Sequence, residues 1–339
     1  MYSIIRFLLF LFNPETAHHI AMKSLRVADY FGLLSLIPAP ATGKSRIVFG
    51  IEFKNPVGLA AGLDKNAEYI DCLDKLGFGF IEVGTITPRP QPGNQKPRSF
   101  RLKKELGIIN RFGFNNVGID RAILNIQSAK YKGVLGINIG KNFDTPIGKA
   151  INDYIICFRK AYNHATYIVI NISSPNTKNL RRLQGEDFFE SLISSIKLEQ
   201  STLAKKYDKY VPFLIKISPD GEINEYDNII RLLLKYNIDG VIATNTTLAR
   251  DGVSQSYFRD ESGGLSGEPL RLRALKTQQY LYRGLKGKVP IIGVGGIMKP
   301  SDGIERINEG AELIQIYSGL IFKGYHLIHE LCERIKQEE

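Results

Sequence analysis

Short runs of Val, Ile and Leu recur from residue 57 onward, each ended by Gly, Asn, Ser or Thr and followed by a longer stretch with helical spacing. The runs are Val57–Ala61, Phe80–Val83, Val134–Asn138, Tyr167–Ile170, Phe213–Ile217, Gly240–Ala243, Pro290–Val294 and Leu313–Ile316. Near-continuous apolar runs predict strands covered on both faces, as a parallel sheet requires. Eight of them alternating with helices predict an α/β fold, a closed (β/α)8 TIM barrel, with an open doubly wound sheet as the fallback. Helical spacing places helices over Ala67–Leu76, Phe188–Lys205, Ile223–Lys235, Arg271–Tyr282, Ser301–Asn308 and Phe322–Lys336. The stretch Thr85–Lys132 is too long for one connection and predicts a small hairpin extension.

The amino-terminal pattern is different. Ile4–Phe12 is apolar but falls short of the roughly 20 residues a bilayer span needs. Asn13, Pro14 and Glu15 then read as an N-cap, a first-turn proline and a first-turn acid, not as a signal-peptide cleavage region. From Pro14 to Phe31, apolar residues recur at helical spacing, with Lys23 and Arg26 available for the opposite face. Two short amphipathic pieces result. They either pack on the main core or dip apolar side chains into a lipid interface. A linker over Pro38–Lys44 follows, so the expected organisation is a helical segment over residues 1–44 and a barrel over residues 45–339.

Composition narrows the function classes. With 43% hydrophobic and 23% charged residues, the 339-residue chain has ordinary globular usage, which excludes disorder. Its net charge of +11 favours phosphates, an acidic membrane surface or a small anionic substrate. Nucleic acid is disfavoured, because the basic residues are scattered and no long Lys/Arg run or C-x-x-C zinc pattern occurs. No metal site is expected. Cys72, Cys157 and Cys332 are widely spaced and odd in number, which argues for small core residues in a reducing compartment.

In a parallel barrel the active site lies at the carboxyl ends of the strands. Those ends read Gly62-Leu63-Asp64-Lys65, Gly84-Thr85, Asn138-Ile139-Gly140, Asn171 to Ser174, Lys216 to Ser218, Thr244-Asn245-Thr246, Gly295-Gly296 and Tyr317-Ser318-Gly319. Lys216 is the most informative of these residues, because an ammonium inside the apolar strand Phe213–Ile217 needs an electron-rich partner. An anionic reduced flavin would serve; an inward salt bridge to another strand's acid is the alternative. Gly293–Ile297 and Tyr317–Gly319 follow strands seven and eight, where barrels commonly bind phosphate. The glycine spacing lacks the third glycine of the dinucleotide pattern, so a mononucleotide fits better. Gly263–Gly267 adds close backbone approach or a turn after strand six.

With those residues laid out, the chain resembles the class 2, quinone-dependent dihydroorotate dehydrogenases over nearly its whole length. The resemblance is carried by NPVGLAAGLDKN, GTITPRPQPGN, NRFGFNN, GINIGKN, NISSPNT, KISPD, GVIATNTT, GGLSG, IIGVGGI and IQIYSG. It implies oxidation of (S)-dihydroorotate to orotate in pyrimidine biosynthesis, with FMN accepting hydride and ubiquinone or menaquinone as the final acceptor. The implied FMN residues are Ala61, Gly62, Leu63, Asp64, Lys65, Thr85, Asn138, Asn171, Lys216, Thr244, Gly267, Gly296, Tyr317 and Ser318. Dihydroorotate would meet Lys65, Asn110, Arg111, Phe112, Gly113, Phe114, Asn171, Asn176, Asn245 and Thr246. Asparagine amides suit a ring that alternates N–H and C=O, and an ammonium suits its carboxylate.

Ser174 corresponds to the family's base, taking a proton from substrate C5 while hydride leaves C6 for the flavin. A free hydroxyl is a poor base, so its proton must move on, through Thr177 or a water, in a pocket closed beside Phe114. Without the resemblance, Ser174 also reads as a serine capping the turn at Pro175. The resemblance makes residues 1–44 the membrane and quinone-access segment, with His18, Arg101 and Tyr317 as tunnel residues. It implies peripheral attachment to the cytoplasmic face of a bacterial inner membrane, with a monomer favoured. Two rival readings are an FMN barrel that reduces uracil rings in transfer RNA, whose usual catalytic cysteine has no counterpart here, and a silent phosphate-binding scaffold.

Overall fold

Val, Ile and Leu crowd the short runs because those strands are covered on both sides, by barrel interior and by helices. The computed structural model describes residues 2–41, 45–176 and 186–338. Two helices lead the chain, α1 (Tyr2–Leu9) and α2 (Pro14–Tyr30). The predicted cap is present: the Asn13 side chain accepts the Thr16 backbone N–H at 2.9 Å. α1 buries none of its residues and α2 only Ala17 and Met22, so Ile4, Phe7, Leu8 and Leu11 face outward. No helix among the described residues is long and apolar enough to cross a membrane.

A hairpin of β1 (Arg46–Val48) and β2 (Ile51–Phe53) precedes the barrel strand β3 (Val57–Leu59). Neither hairpin strand was expected. There follow α3 (Ile70–Asp74), β4 (Phe80–Ile86), β5 (Ser99–Leu102), β6 (Gly107–Asn110), α4 (Ile119–Ser128), β7 (Val134–Ile139), α5 (Ala150–Ala161) and β8 (Tyr167–Asn171). The second half continues with α6 (Glu186–Tyr207), β9 (Phe213–Ile217), α7 (Ile223–Lys235), β10 (Gly240–Ala243), β11 (Gly264–Gly267), α8 (Arg271–Leu285), β12 (Ile291–Val294), α9 (Pro300–Asn308), β13 (Leu313–Ile316), α10 (Ser318–Lys323) and α11 (His326–Glu338).

The eight predicted runs form one closed parallel barrel in the order β3, β4, β7, β8, β9, β10, β12, β13 and back to β3. Its amino-terminal end is filled by aromatic rings. Phe53 and Phe80 pack edge to face at 5.2 Å between ring centres, and Tyr167 adjoins Phe80 at 6.4 Å. The hairpin expected within Thr85–Lys132 is β5–β6, and β11 from the loop after β10 joins its edge antiparallel to β6. This three-stranded sheet forms one side of the barrel's open end.

Two helix expectations need correction. The single helix over Phe322–Lys336 is two, α10 and α11, because Gly324 takes a left-handed φ of 78° and its N–H closes α10 onto Leu320 at 2.8 Å. The helix over Ala67–Leu76 shrinks to α3, since Ala67 itself adopts a positive φ of 59° and breaks the turn before it. The three cysteines are buried and unpaired.

Candidate active site

At the carboxyl ends of the barrel strands a cavity with about 990 Å³ of empty space opens under the β5–β6–β11 sheet. Ser174 and Lys216 both line it, together with Ala61, Gly62, Lys65, Thr85, Asn110, Phe112, Gly113, Phe114, Asn171, Asn176, Thr244, Asn245, Thr246, Gly267, Gly296, Tyr317 and Ser318. The two residues on which the sequence reading turned therefore face one space. Of the remaining candidates, Asn138 lies beneath the lining, Leu63 and Asp64 face a second cavity, and Arg111 turns away. The Arg111 guanidinium donates to Glu261 at 2.6 Å and to the Pro97 carbonyl at 2.8 Å, outside the pocket. Asp64 is a turn cap, accepting the Glu68 and Tyr69 backbone N–H groups at 2.9 and 2.7 Å.

The floor of the cavity is a chain of amides and hydroxyls. Thr85 donates its hydroxyl to Asn138 Oδ1 at 2.6 Å, and Asn171 Nδ2 donates to Thr85 Oγ1 at 2.9 Å. Asn245 Nδ2 donates to Asn171 Oδ1 at 3.2 Å and to Ser173 Oγ at 3.0 Å, while Ser173 donates to the Lys216 carbonyl at 2.7 Å. Each amide is thus held in one orientation, which presets the pattern of donors and acceptors shown to a ligand. Asn176 donates to Asn110 Oδ1 at 3.2 Å, and its own buried Oδ1 has no hydrogen-bond partner among the described residues.

Charge is concentrated on two lysines. Lys216 is buried, its ammonium makes no hydrogen bond among the described residues, and burial pushes its pKa below the ordinary lysine value against the opposing field of Glu82. The inward salt bridge considered as an alternative is absent among the described residues: Glu82 acts on Lys216 through its field alone. The Lys65 ammonium lies 4.3 Å from the centre of the Phe112 ring. Burial lowers its pKa to about 8, with Glu15 and Asp64 raising it and Arg98 lowering it. Glu15, on α2, pairs with Arg98 at 2.8 Å, so the amino-terminal helix contributes to the potential at Lys65.

Ser174 is buried, and its Oγ accepts the Asn176 backbone N–H at 3.3 Å, leaving the hydroxyl proton without an acceptor among the described residues. Thr177, the expected relay partner, lies outside the described residues. Sequence reasoning assigned no individual role to Ser266, Leu270 or Gln315, which also line the cavity. Ser266 shares a hydroxyl hydrogen bond with Ser318 at 2.9 Å.

The second cavity, with about 2270 Å³ of empty space, lies between α1, α2 and the barrel. His18, Arg101 and Tyr317 all line it, and Lys65, Phe112 and Tyr317 line both cavities. His18 is pushed down to about 3 by burial and by the Lys65 and His19 charges, which keeps it neutral. Arg101 donates to the Leu9 and Phe12 carbonyls and packs 4.4 Å from the Phe10 ring centre, fastening α1 to β5.

The dihydroorotate dehydrogenase family pattern matches residues 45–338. The chain belongs to the dihydroorotate dehydrogenase family. A relative named dihydroorotate dehydrogenase (quinone) from Nitrosospira multiformis is 55% identical over 98% of this chain and 95% of its own length. Another of that name from Methylobacillus flagellatus is 53% identical over 99% of each chain. A crystal structure of DHODH from Eimeria tenella in complex with ferulenol superposes with a TM-score of 0.86 at 36% identity, covering 95% of this chain and 90% of that one. Both bacterial relatives carry the quinone name, and each matches nearly the whole of this chain, so the dehydrogenase family likeness spans both cavities.

Proposed function

We propose that this chain oxidises (S)-dihydroorotate to orotate in pyrimidine biosynthesis, with FMN as hydride acceptor, a membrane quinone as final acceptor and Ser174 as base. The observation that carries the reading is the convergence on one cavity of the Ser174 hydroxyl, the Lys216 ammonium and the linked asparagine amides. The residues present fit FMN. An ammonium without a hydrogen-bond partner among the described residues suits an electron-rich ring, and glycine-bearing segments at Gly267, Gly295–Gly296 and Ser318–Gly319 bring main chain to the wall where a phosphate would be held. Bound FMN supplies a two-electron acceptor for the hydride.

The chain's own residues do the rest. Lys65 holds the substrate carboxylate, and Asn110, Asn171, Asn176 and Asn245 offer the amide donors and acceptors its ring requires. Fixing the ring in this way supplies the orientation part of the catalysis. Ser174 Oγ takes the proton from C5 and passes its own proton to Thr177 or a water, while Phe112 and Phe114 keep bulk water from the site. Asn138, Leu63 and Asp64 support the cofactor side from beneath and beside the lining, and Arg111 supports the loop that carries Phe112 and Phe114.

The second cavity suits the quinone. It is rich in apolar residues from α1 and α2, meets the first at Lys65, Phe112 and Tyr317, and counts His18 and Arg101 among its polar groups. Residues 1–44 then form the access segment and residues 45–339 the catalytic barrel. The outward apolar side chains of α1 support peripheral attachment to the cytoplasmic face of the membrane. Anaerobic mixing with dihydroorotate, followed by quinone, fumarate or NAD in separate runs, tests the pairing of acceptors: reoxidation by quinone is expected, and reoxidation by NAD or fumarate alone would overturn it.

A further inference from the structure

Beneath the cavity the barrel holds a carboxylate that the mechanism above leaves unused. Glu82, on β4, is fully buried between the aromatic layer at the barrel base and the polar side chains at its mouth. Its Oε1 accepts Asn138 Nδ2 at 2.8 Å; its Oε2 accepts Gln315 Nε2 at 2.6 Å and the Tyr167 hydroxyl at 3.3 Å. Both carboxyl oxygens act as acceptors in these contacts, so the group dictates which way each amide points. The nitrogens of Asn138 and Gln315 turn toward Glu82, and their carbonyls turn away.

The two carbonyls then differ. Asn138 Oδ1 receives the Thr85 hydroxyl at 2.6 Å and Asn171 Nδ2 at 3.3 Å. Gln315 Oε1 receives no hydrogen bond from the described residues, although it is buried in a residue that lines the cavity. A buried acceptor left unpaired is costly, and the same carboxylate that creates it could have been avoided by an apolar pair. The orphan is therefore an acceptor held ready for a donor from outside the chain. The oxidised isoalloxazine ring has one N–H group, the imide of its uracil-like ring. Glu82 also acts electrostatically on Lys216, so the same carboxylate favours a cation in the cavity that Gln315 lines. A uracil-like edge, with N–H next to C=O, matches that pair.

We infer that Gln315 is a cofactor-binding residue whose carbonyl accepts the imide N–H of FMN, and that Glu82 is the positioning residue that holds it in that orientation. The inference rests on the FMN reading above and deepens it, since it names what selects a flavin from other ring systems.

The test uses the full-length holoenzyme carrying 15N-labelled FMN, without substrate. The imide proton should exchange with water at least about ten-fold more slowly than in free FMN. Gln315→Met should restore fast exchange and weaken FMN about ten-fold, as expected for one hydrogen bond to a buried acceptor. Glu82→Gln, which frees the Gln315 amide to turn, should shift both readouts in the same direction by less. An imide proton that exchanges in wild-type protein as fast as in free FMN would overturn the assignment without reference to any variant. So would a Gln315→Met protein that keeps its FMN affinity but loses orotate affinity, because the carbonyl would then serve the substrate. A chain that binds no FMN would overturn both the assignment and the cofactor reading beneath it.

Discussion

Lys65 makes the proposed substrate site sensitive to pH in a direction the structure fixes. Burial brings its pKa from 10.5 down to about 8, so the ammonium is charged below that pH and neutral above it. Orotate and dihydroorotate carry a carboxylate throughout this range, and their binding favours charged Lys65. Affinity should be full near pH 7 and fall as the pH rises through about 8, approaching a ten-fold loss per pH unit beyond it. A charge-assisted hydrogen bond is worth about 1.5–3 kcal/mol, so Lys65→Met should cost roughly 10- to 100-fold in affinity at pH 7 and remove the pH dependence. Glu15 is the largest opposing influence on this lysine. Glu15→Gln should therefore move the decline to lower pH, although Glu15 sits on α2, outside the barrel. Orotate titration of the oxidised holoenzyme, followed by the flavin absorbance at several pH values between 7 and 9, measures each effect. Equal orotate affinity across that range in wild-type protein, or an unmoved inflection in Glu15→Gln, would refute the reasoning.

Other consequences follow from the fold. Removing residues 1–44 should reduce turnover with hydrophobic quinones far more than it reduces flavin reduction by dihydroorotate; equal losses in the two half-reactions would contradict the role of the second cavity. Phe53→Ala leaves a void under the Phe80 ring at the closed end of the barrel and should cost about 3–5 kcal/mol, read as a lowered midpoint in urea unfolding. Gly296→Ala puts a Cβ 2.4 Å from the Arg271 Cα at a φ of 76°, so it should weaken FMN retention by displacing the segment after β12, as measured by flavin released on dialysis.

The barrel was legible because each of its strands is buried on both faces, and the resulting short apolar runs recur eight times in alternation with helical spacing. The strands that were missed carry no such mark. β1 and β2 are three residues each, with Ile47 and Glu52 exposed, and β11 pairs with a strand more than 150 residues earlier, which no local pattern signals. The site shows the same division. Lys216 stood out as a charge inside an apolar strand, yet Glu82 in Phe80–Val83 and Gln315 in Leu313–Ile316 are the same kind of interruption. Their meaning depends on meeting each other across the barrel interior, at 2.6 Å, from strands 233 residues apart. Arg111 shows the converse: adjacent in sequence to lining residues, it is drawn off by Glu261 on a loop that sequence reading does not bring near it.

A hydroxyl in a closed cavity, acting as the proton acceptor beside a flavin, is the claim on which the proposed chemistry depends. Rapid anaerobic mixing of dihydroorotate with wild-type and Ser174→Ala holoenzymes at neutral pH tests it most directly. Wild-type flavin should be reduced, and the variant should retain its FMN but reduce it at least about 100-fold more slowly. Reduction of the two proteins at similar rates would contradict the role of Ser174.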